Sequence, residues 1–200
     1  MDILTALHTR QSIAKVLPDP VPHEVIERLL DAAVQAPNHH RNRPWRFVVL
    51  TGAARQRLGQ VMAQALRSQA PDTADAMLEV ERMKPLRAPV IIAVGIARPD
   101  SPKIVEIEDV CAGAAAVQNL LLAAHGLGLG AMWRTGTAAG APGVKAFLGF
   151  APDQHLIAFV YIGYADGEHP PANRPSFNSY VTWIEEEKEL PEQRSRTESL

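Results

Sequence analysis

The sequence predicts a domain of the α+β class, with helices packed on both faces of a central sheet. Two continuous apolar runs of strand length, Pro89 to Ala97 and His155 to Tyr164, lack the alternation of a half-solvated strand, so each needs cover on both faces. Several other segments place apolar residues at helical spacing and can supply that cover. A chain of 200 residues, 46% hydrophobic and 21% charged, has the length and composition of one such domain.

In chain order, Ile3, Leu4 and Leu7 share one face of a short opening helix, which leads into Arg10, Gln11 and Ser12. Pro22 begins a second helix, with Val25, Leu29 and Ala33 in one stripe and Ile26, Leu30 and Val34 in the next, and Pro37 stops it. The loop from Asn38 to Pro44 crowds His39, His40, Arg41, Asn42 and Arg43 between two prolines. Trp45 to Leu50 reads as a strand of aromatic and β-branched residues, closed by a turn at Thr51-Gly52 and followed by a helix from Ala53 to Ser68. From Ala70 to Arg87 the periodicity weakens. Met77, Val80, Glu81 and Lys84 suit a short amphipathic helix there, and the segment is the expected mobile lid.

Ile107 to His125 is apolar around most of its circumference, and Ala112, Ala115, Ala116 and Asn119 permit close approach, which predicts a central helix at a subunit interface. Gly126, Gly128 and Gly130 end it and introduce a short strand through Trp133 to Thr135, then a short helix from Val144 to Leu148. Beyond the second buried strand come a Pro-rich stretch, His169 to Pro175, and a strand-like one, Ser179 to Ile184. The domain is therefore expected to span 1–184, with 185–200 a charged tail, largely disordered.

A net charge of -2 leaves no overall basic field to draw the chain onto nucleic acid or an anionic membrane, so the expected partners are small molecules and other protein chains. The opening MDILTALHTRQS has an acid at position 2, and no later run approaches the roughly 20 apolar residues that span a bilayer, which makes the protein an expected cytoplasmic one. Cys111 has no second cysteine to pair with and lies in an Ala/Val/Leu-rich stretch, where a buried, inert thiol is expected. His39 and His40 lack the nearby Cys or spaced carboxylate that would complete a metal site, so no metal is expected. Glu106, Glu108 and Asp109 open the long helix and are explained by its macrodipole. The run Gly126-Leu-Gly-Leu-Gly imitates a dinucleotide fingerprint, but here the glycines close a helix and open a strand, the reverse of the order that motif requires.

Four separated features remain: Arg10-Gln11-Ser12, Pro37-Asn38-His39, the glycine-punctuated segment Ala123 to Gly130, and Trp133-Arg134-Thr135-Gly136. Their order and spacing resemble the FMN-dependent nitroreductase family, in particular its small single-domain branch. Members of that branch begin with Arg-Arg-Ser and later carry Ala-Pro-(Asp/Asn)-His, Pro-Trp-Arg-Phe and Trp-Arg-Ser-Gly segments. The resemblance runs from residue 1 to about residue 184 and implies a three-layer sandwich with a mostly antiparallel sheet, assembled as a homodimer with FMN at the interface. It implies that Arg10 and Ser12 contact the phosphate and ribityl chain, and that Arg134 with Thr135 completes the phosphate clamp; guanidinium plus hydroxyl is the forked, charge-assisted donor set a phosphate needs. Gln11 replaces the family's second arginine with a neutral amide, and Thr135 replaces serine but keeps the hydroxyl. By the same resemblance, Gln35 and His39 reach the cofactor from the other subunit, and Trp133 lies close to the flavin. Ala123, Ala124, His125, Gly126, Leu127 and Gly128 occupy the position associated with the nicotinamide nucleotide, and Ser179 to Ile184 is the C-terminal strand that crosses to the partner.

The implied activity is electron transfer from NAD(P)H through FMN to a nitroaromatic, quinone or related acceptor, in a ping-pong cycle. No Ser-His-Asp set or carboxylate pair is evident, which fits a cofactor that carries the chemistry while the protein positions it. Two alternatives stay open: another FMN reaction on this fold, such as dehalogenation or ene reduction, and a non-catalytic FMN-binding regulatory dimer.

Overall fold

The computed structural model describes residues 1–99, 101–170 and 172–184. At its centre is β2 (Val90–Ile96), every residue of which is buried. Val90, Ile92 and Val94 enter one apolar cluster while Ile91 and Ala93 enter another, so the unbroken apolar run is a period-2 strand with both faces covered. β1 (Trp45–Leu50) and β4 (Leu156–Tyr164) flank it, and β3 (Leu129–Arg134) lies beyond β4, giving the order β1-β2-β4-β3. All three pairings are antiparallel, with Phe47 opposite Val94, Ile92 opposite Val160 and Met132 opposite Tyr161.

On one face lie α2 (His23–Ala33), through Ile26, Leu29 and Ala33, and α5 (Glu106–Gly126), through residues such as Ala116, Val117 and Leu120. On the other lie α3 (Gly52–Gln69), through Leu58 and Met62, and α6 (Pro142–Phe147), through Val144. This is the three-layer α+β arrangement expected. α1 (Ile3–Thr9) starts where the Asp2 carboxylate accepts a hydrogen bond from the Thr5 N–H at 3.1 Å, and it rests against α5.

The structure departs from the sequence reading in five places. The segment expected as a lid is α4 (Asp75–Met83) followed by a 3-10 turn, Lys84–Arg87. It is seated on α3 through buried Leu78, and so closely that a Cβ at Gly59 would lie 2.0 Å from the Arg82 carbonyl oxygen. The strand through Trp133 begins earlier, at Leu129, because Gly128, with φ +77, turns the chain out of α5 at once. Ser179 to Ile184 is not a strand: Phe177–Tyr180 forms a 3-10 turn, and the residues after it pair with no strand among the described residues. Extended backbone becomes a strand only where a sheet edge receives it. Cys111 is exposed rather than buried, since one chain does not cover its side of α5. α5 is also long and apolar enough, by length and composition, to cross a membrane, where no such segment was expected; here its buried residues face the sheet core. The tail, 185–200, lies outside the described residues.

Candidate active site

After α1 the chain is pinned along the β3–β4 end of the sheet. The Ile13 N–H donates to the Ala131 carbonyl at 3.0 Å, the Leu17 N–H donates to the Tyr164 carbonyl at 2.8 Å, and Val16 bridges Ala165. Gly130 makes this approach possible, because a Cβ there would lie 2.8 Å from Ile13 Cγ2. Arg10 and Gln11 are thereby held in a concavity of about 300 Å³ that Thr9, His125, Gly128 and His169 also line. Thr9 Oγ1 and His125 Nε2 are hydrogen-bonded at 2.8 Å, the imidazole tautomer deciding which donates.

The Pro-rich stretch returns to the same place. Arg174 Nη2 donates to the Arg10 carbonyl at 2.5 Å. Gln11 Nε2 donates to the carbonyls of His169 and Pro170 at 3.1 and 2.9 Å. Burial first, and the neighbouring charge of Arg174 second, hold the Arg10 guanidinium below its usual range. Among the described residues neither arginine has a carboxylate within ion-pair distance. Two cations held together without a counter-charge form a receptor for an anion. Ser12, next in sequence, is exposed.

The side chains of β3 alternate. Leu129 and Ala131 face the α5 layer, and Trp133 follows them on that side, its Nε1–H donating to the Ile157 carbonyl at 3.0 Å. Arg134 points to the opposite layer, with its guanidinium carbon 5.5 Å from the centre of the Tyr161 ring, and lines a different concavity together with Thr135. The expected clamp of Arg10 with Arg134 on one phosphate is therefore not assembled within the chain. Strand parity sends Arg134 away, and it lies three residues, about 10 Å, along β3 from the carbonyl that Ile13 contacts.

His39 opens a 3-10 turn whose neighbours His40, Arg41 and Arg43 have φ of 51, 54 and 50, left-handed values that cost a non-glycine residue about 1 kcal/mol or more each. Two hydrogen bonds hold this loop: Asn42 Nδ2 donates to Asp109 Oδ2 at 2.8 Å, and the Arg43 N–H to Asn38 Oδ1 at 2.9 Å. His39 Nε2 lies 3.8 Å from Glu108 Oε1 and faces a concavity of about 530 Å³ shared with Ile107, Cys111 and Ala115. Gln35 lies elsewhere, its Nε2 donating to the Asp31 carbonyl at 3.2 Å. Neither residue meets Arg10 within one chain.

The run Ala123 to Gly128 is not one continuous lining. Ala124 is buried, Ala123 and Gly126 face the concavity of Gln35, and only His125 and Gly128 face that of Arg10. The run is the capped end of α5, where the N–H groups of Leu127 and Gly128 donate to the carbonyls of Ala123 and His125 at 2.9 and 3.1 Å. Thr9, His169 and Arg174 are site residues that sequence reasoning missed. Arg174 meets Arg10 across 164 positions from a stretch without periodicity; its one signal is that it is the sole cation between His169 and Pro175.

The nitroreductase family model matches residues 7–164, most of the chain. YdjA of Escherichia coli K12, a candidate NAD(P)H nitroreductase, is 31% identical over 164 residues, which cover 82% of this chain and 88% of YdjA. A candidate nitroreductase from Desulfovibrio desulfuricans, solved in complex with FMN, is 27% identical at a TM-score of 0.70, covering 88% of this chain and 92% of that one. A nitroreductase-like family protein from Bacillus cereus shares the fold at a TM-score of 0.80 and 24% identity, covering 93% of this chain and 97% of its own. On the match of the family model across most of its length, the chain belongs to the nitroreductase family.

Proposed function

We propose that the protein is an FMN-dependent oxidoreductase, cytoplasmic and homodimeric, that passes electrons from NAD(P)H to a nitroaromatic, quinone or related small-molecule acceptor. The observation that carries this reading is Arg10 lining a concavity with Arg174 bonded to its carbonyl, neither guanidinium having a carboxylate within ion-pair distance among the described residues. A phosphate monoester fits that donor set, and membership of the nitroreductase family, with FMN held by the Desulfovibrio relative, points to which one.

On this reading Arg10 and Arg174 hold the phosphate and Ser12 adds a hydroxyl. Gln11 keeps the segment that carries Arg174 in place rather than contributing a charge. Trp133, farther along β3, serves the flavin end, whereas Arg134 and Thr135 line the other concavity and are left out. His125 and Gly128 border the same space and are the part of the nicotinamide position that reaches it. Gln35 and His39 serve through a second copy of the chain, for which the exposed apolar surfaces of Ile3, Leu4, Ile107 and Trp183 provide contact. When bound, FMN would supply the two-electron redox chemistry of a ping-pong cycle between NAD(P)H and the acceptor. The protein's own work is to bind, orient and exclude water.

Purified protein is expected to be yellow and to release FMN on denaturation, and anaerobic mixing with NADH or NADPH should bleach the flavin before any acceptor is added. Colourless protein that takes up no FMN overturns the reading, and bound flavin that neither nicotinamide bleaches leaves binding without the activity. Arg10→Ala or Arg174→Ala should each weaken FMN binding by about 1.5–3 kcal/mol, measured by flavin fluorescence titration.

A further inference from the structure

On the sheet face opposite α5, Arg134 has no side-chain hydrogen bond among the described residues, and its Nε is buried without any partner. Leaving a buried charged donor unanswered costs free energy that a bound acceptor would recover. The guanidinium is stacked on Tyr161 and borders a concavity of about 300 Å³. Lys84 is also there but is already ion-paired with Glu81, so of the lining residues Arg134 alone carries an uncompensated positive charge, with Arg87 close enough to act on Tyr161. The hydroxyls of Thr135 and Thr137 add donors, while Met62 and Phe159 give it apolar walls. Burial keeps the Tyr161 phenol neutral at physiological pH, so it adds no negative charge.

We propose that this cavity is a binding site for a small organic monocarboxylate, its carboxylate on Arg134 and the threonine hydroxyls and its hydrocarbon body against Met62 and Phe159. The apolar walls call for a hydrocarbon body that bare phosphate lacks. The site is separate from the concavity of Arg10 and Arg174 and does not depend on the FMN reading.

The test is calorimetric titration of the protein as purified, flavin included, with benzoate, neutral benzamide and inorganic phosphate. Benzoate should bind saturably, with benzamide and phosphate at least about tenfold weaker. Arg134→Gln should weaken benzoate by at least about tenfold while flavin content and absorbance stay as in the wild type. Lys84→Gln, a change at a half-exposed position, should also weaken it, because Glu81 is then left uncompensated, and it decides the matter if Arg134→Gln does not fold. Absence of saturable benzoate binding, or equal affinity in the variants, overturns the proposal. So does benzoate that perturbs the flavin absorbance and is indifferent to both substitutions, since it then sits on the flavin. Loss of FMN in Arg10→Ala with benzoate affinity intact supports both assignments separately.

Discussion

Asp109 is 1% exposed, with Oδ2 accepting from Asn42 and Oδ1 without a partner among the described residues. A carboxylate buried with one donor depends on that donor, so Asn42→Ala should destabilise the fold by about 1–3 kcal/mol and lower the urea midpoint at unchanged m-value. An unchanged midpoint would mean the carboxylate finds other donors. The same substitution frees the loop that carries His39. Tyr161 gives a pH prediction. Burial pushes its phenol from 10.0 up to about 12, against the opposing charges of Arg134 and Arg87. The folded state therefore keeps this proton longer than the unfolded chain does. Its contribution is complete below pH 10 and is lost as the pH rises toward about 12. Stability followed across that window should fall, and Tyr161→Phe should flatten the fall; an identical decline in the variant would assign it to other groups. At this scale the sequence was partly legible. Arg10 could be read because it ends a periodic helix, whereas the direction of Arg134 could not, since a strand taken to start near Trp133 is too short to show its alternation.

The contact of α3 with α4 is decided by one missing side chain. Gly59→Ala would set a Cβ 2.0 Å from a backbone oxygen of Arg82, which cannot rotate aside. The helices must part, at about 1–3 kcal/mol, more than the helix-propensity gain of roughly 1 kcal/mol returns. At Gly113 the nearest obstacle is Ile96 Cδ1, at 2.3 Å, the far end of a side chain that can turn. Gly113→Ala should therefore be the milder change, and thermal unfolding of the two variants tests the order; the reverse order would refute it. Elements that bury a continuous apolar surface were readable from the sequence, as β2, β4 and α5 illustrate. α4 was mistaken for a lid because much of its apolar surface is exposed, Met77 and Val80 among it, and what anchors it is a glycine on another helix.

For the molecule as a whole, the exposed apolar residues lie mainly on α1, α4, the start of α5 and the C-terminal segment, where Phe177, Tyr180, Trp183 and Ile184 are all more than 60% exposed. Truncation after Arg174 removes that segment but keeps the Arg174–Arg10 hydrogen bond. If a second copy completes the site, the truncated chain should lose dimer and flavin together, read by light scattering alongside flavin content. A monomer that still holds FMN tightly would refute the shared site. The layers of the fold followed from burial pattern alone, but the strand order did not, because β4 carries no mark saying that it inserts between β2 and β3.

That insertion matters for how the chain is made. Among the described residues β4 is the last strand to leave the ribosome, yet β3 has no other strand to pair with, and Leu17 is tied to the carbonyl of Tyr164. The residues from Arg10 to Leu17 are synthesised before every described strand and are the last to find their place. Nascent chains released before Tyr164 emerges carry only the antiparallel pair β1 with β2, and a segment from Arg10 to Leu17 with nothing to hold.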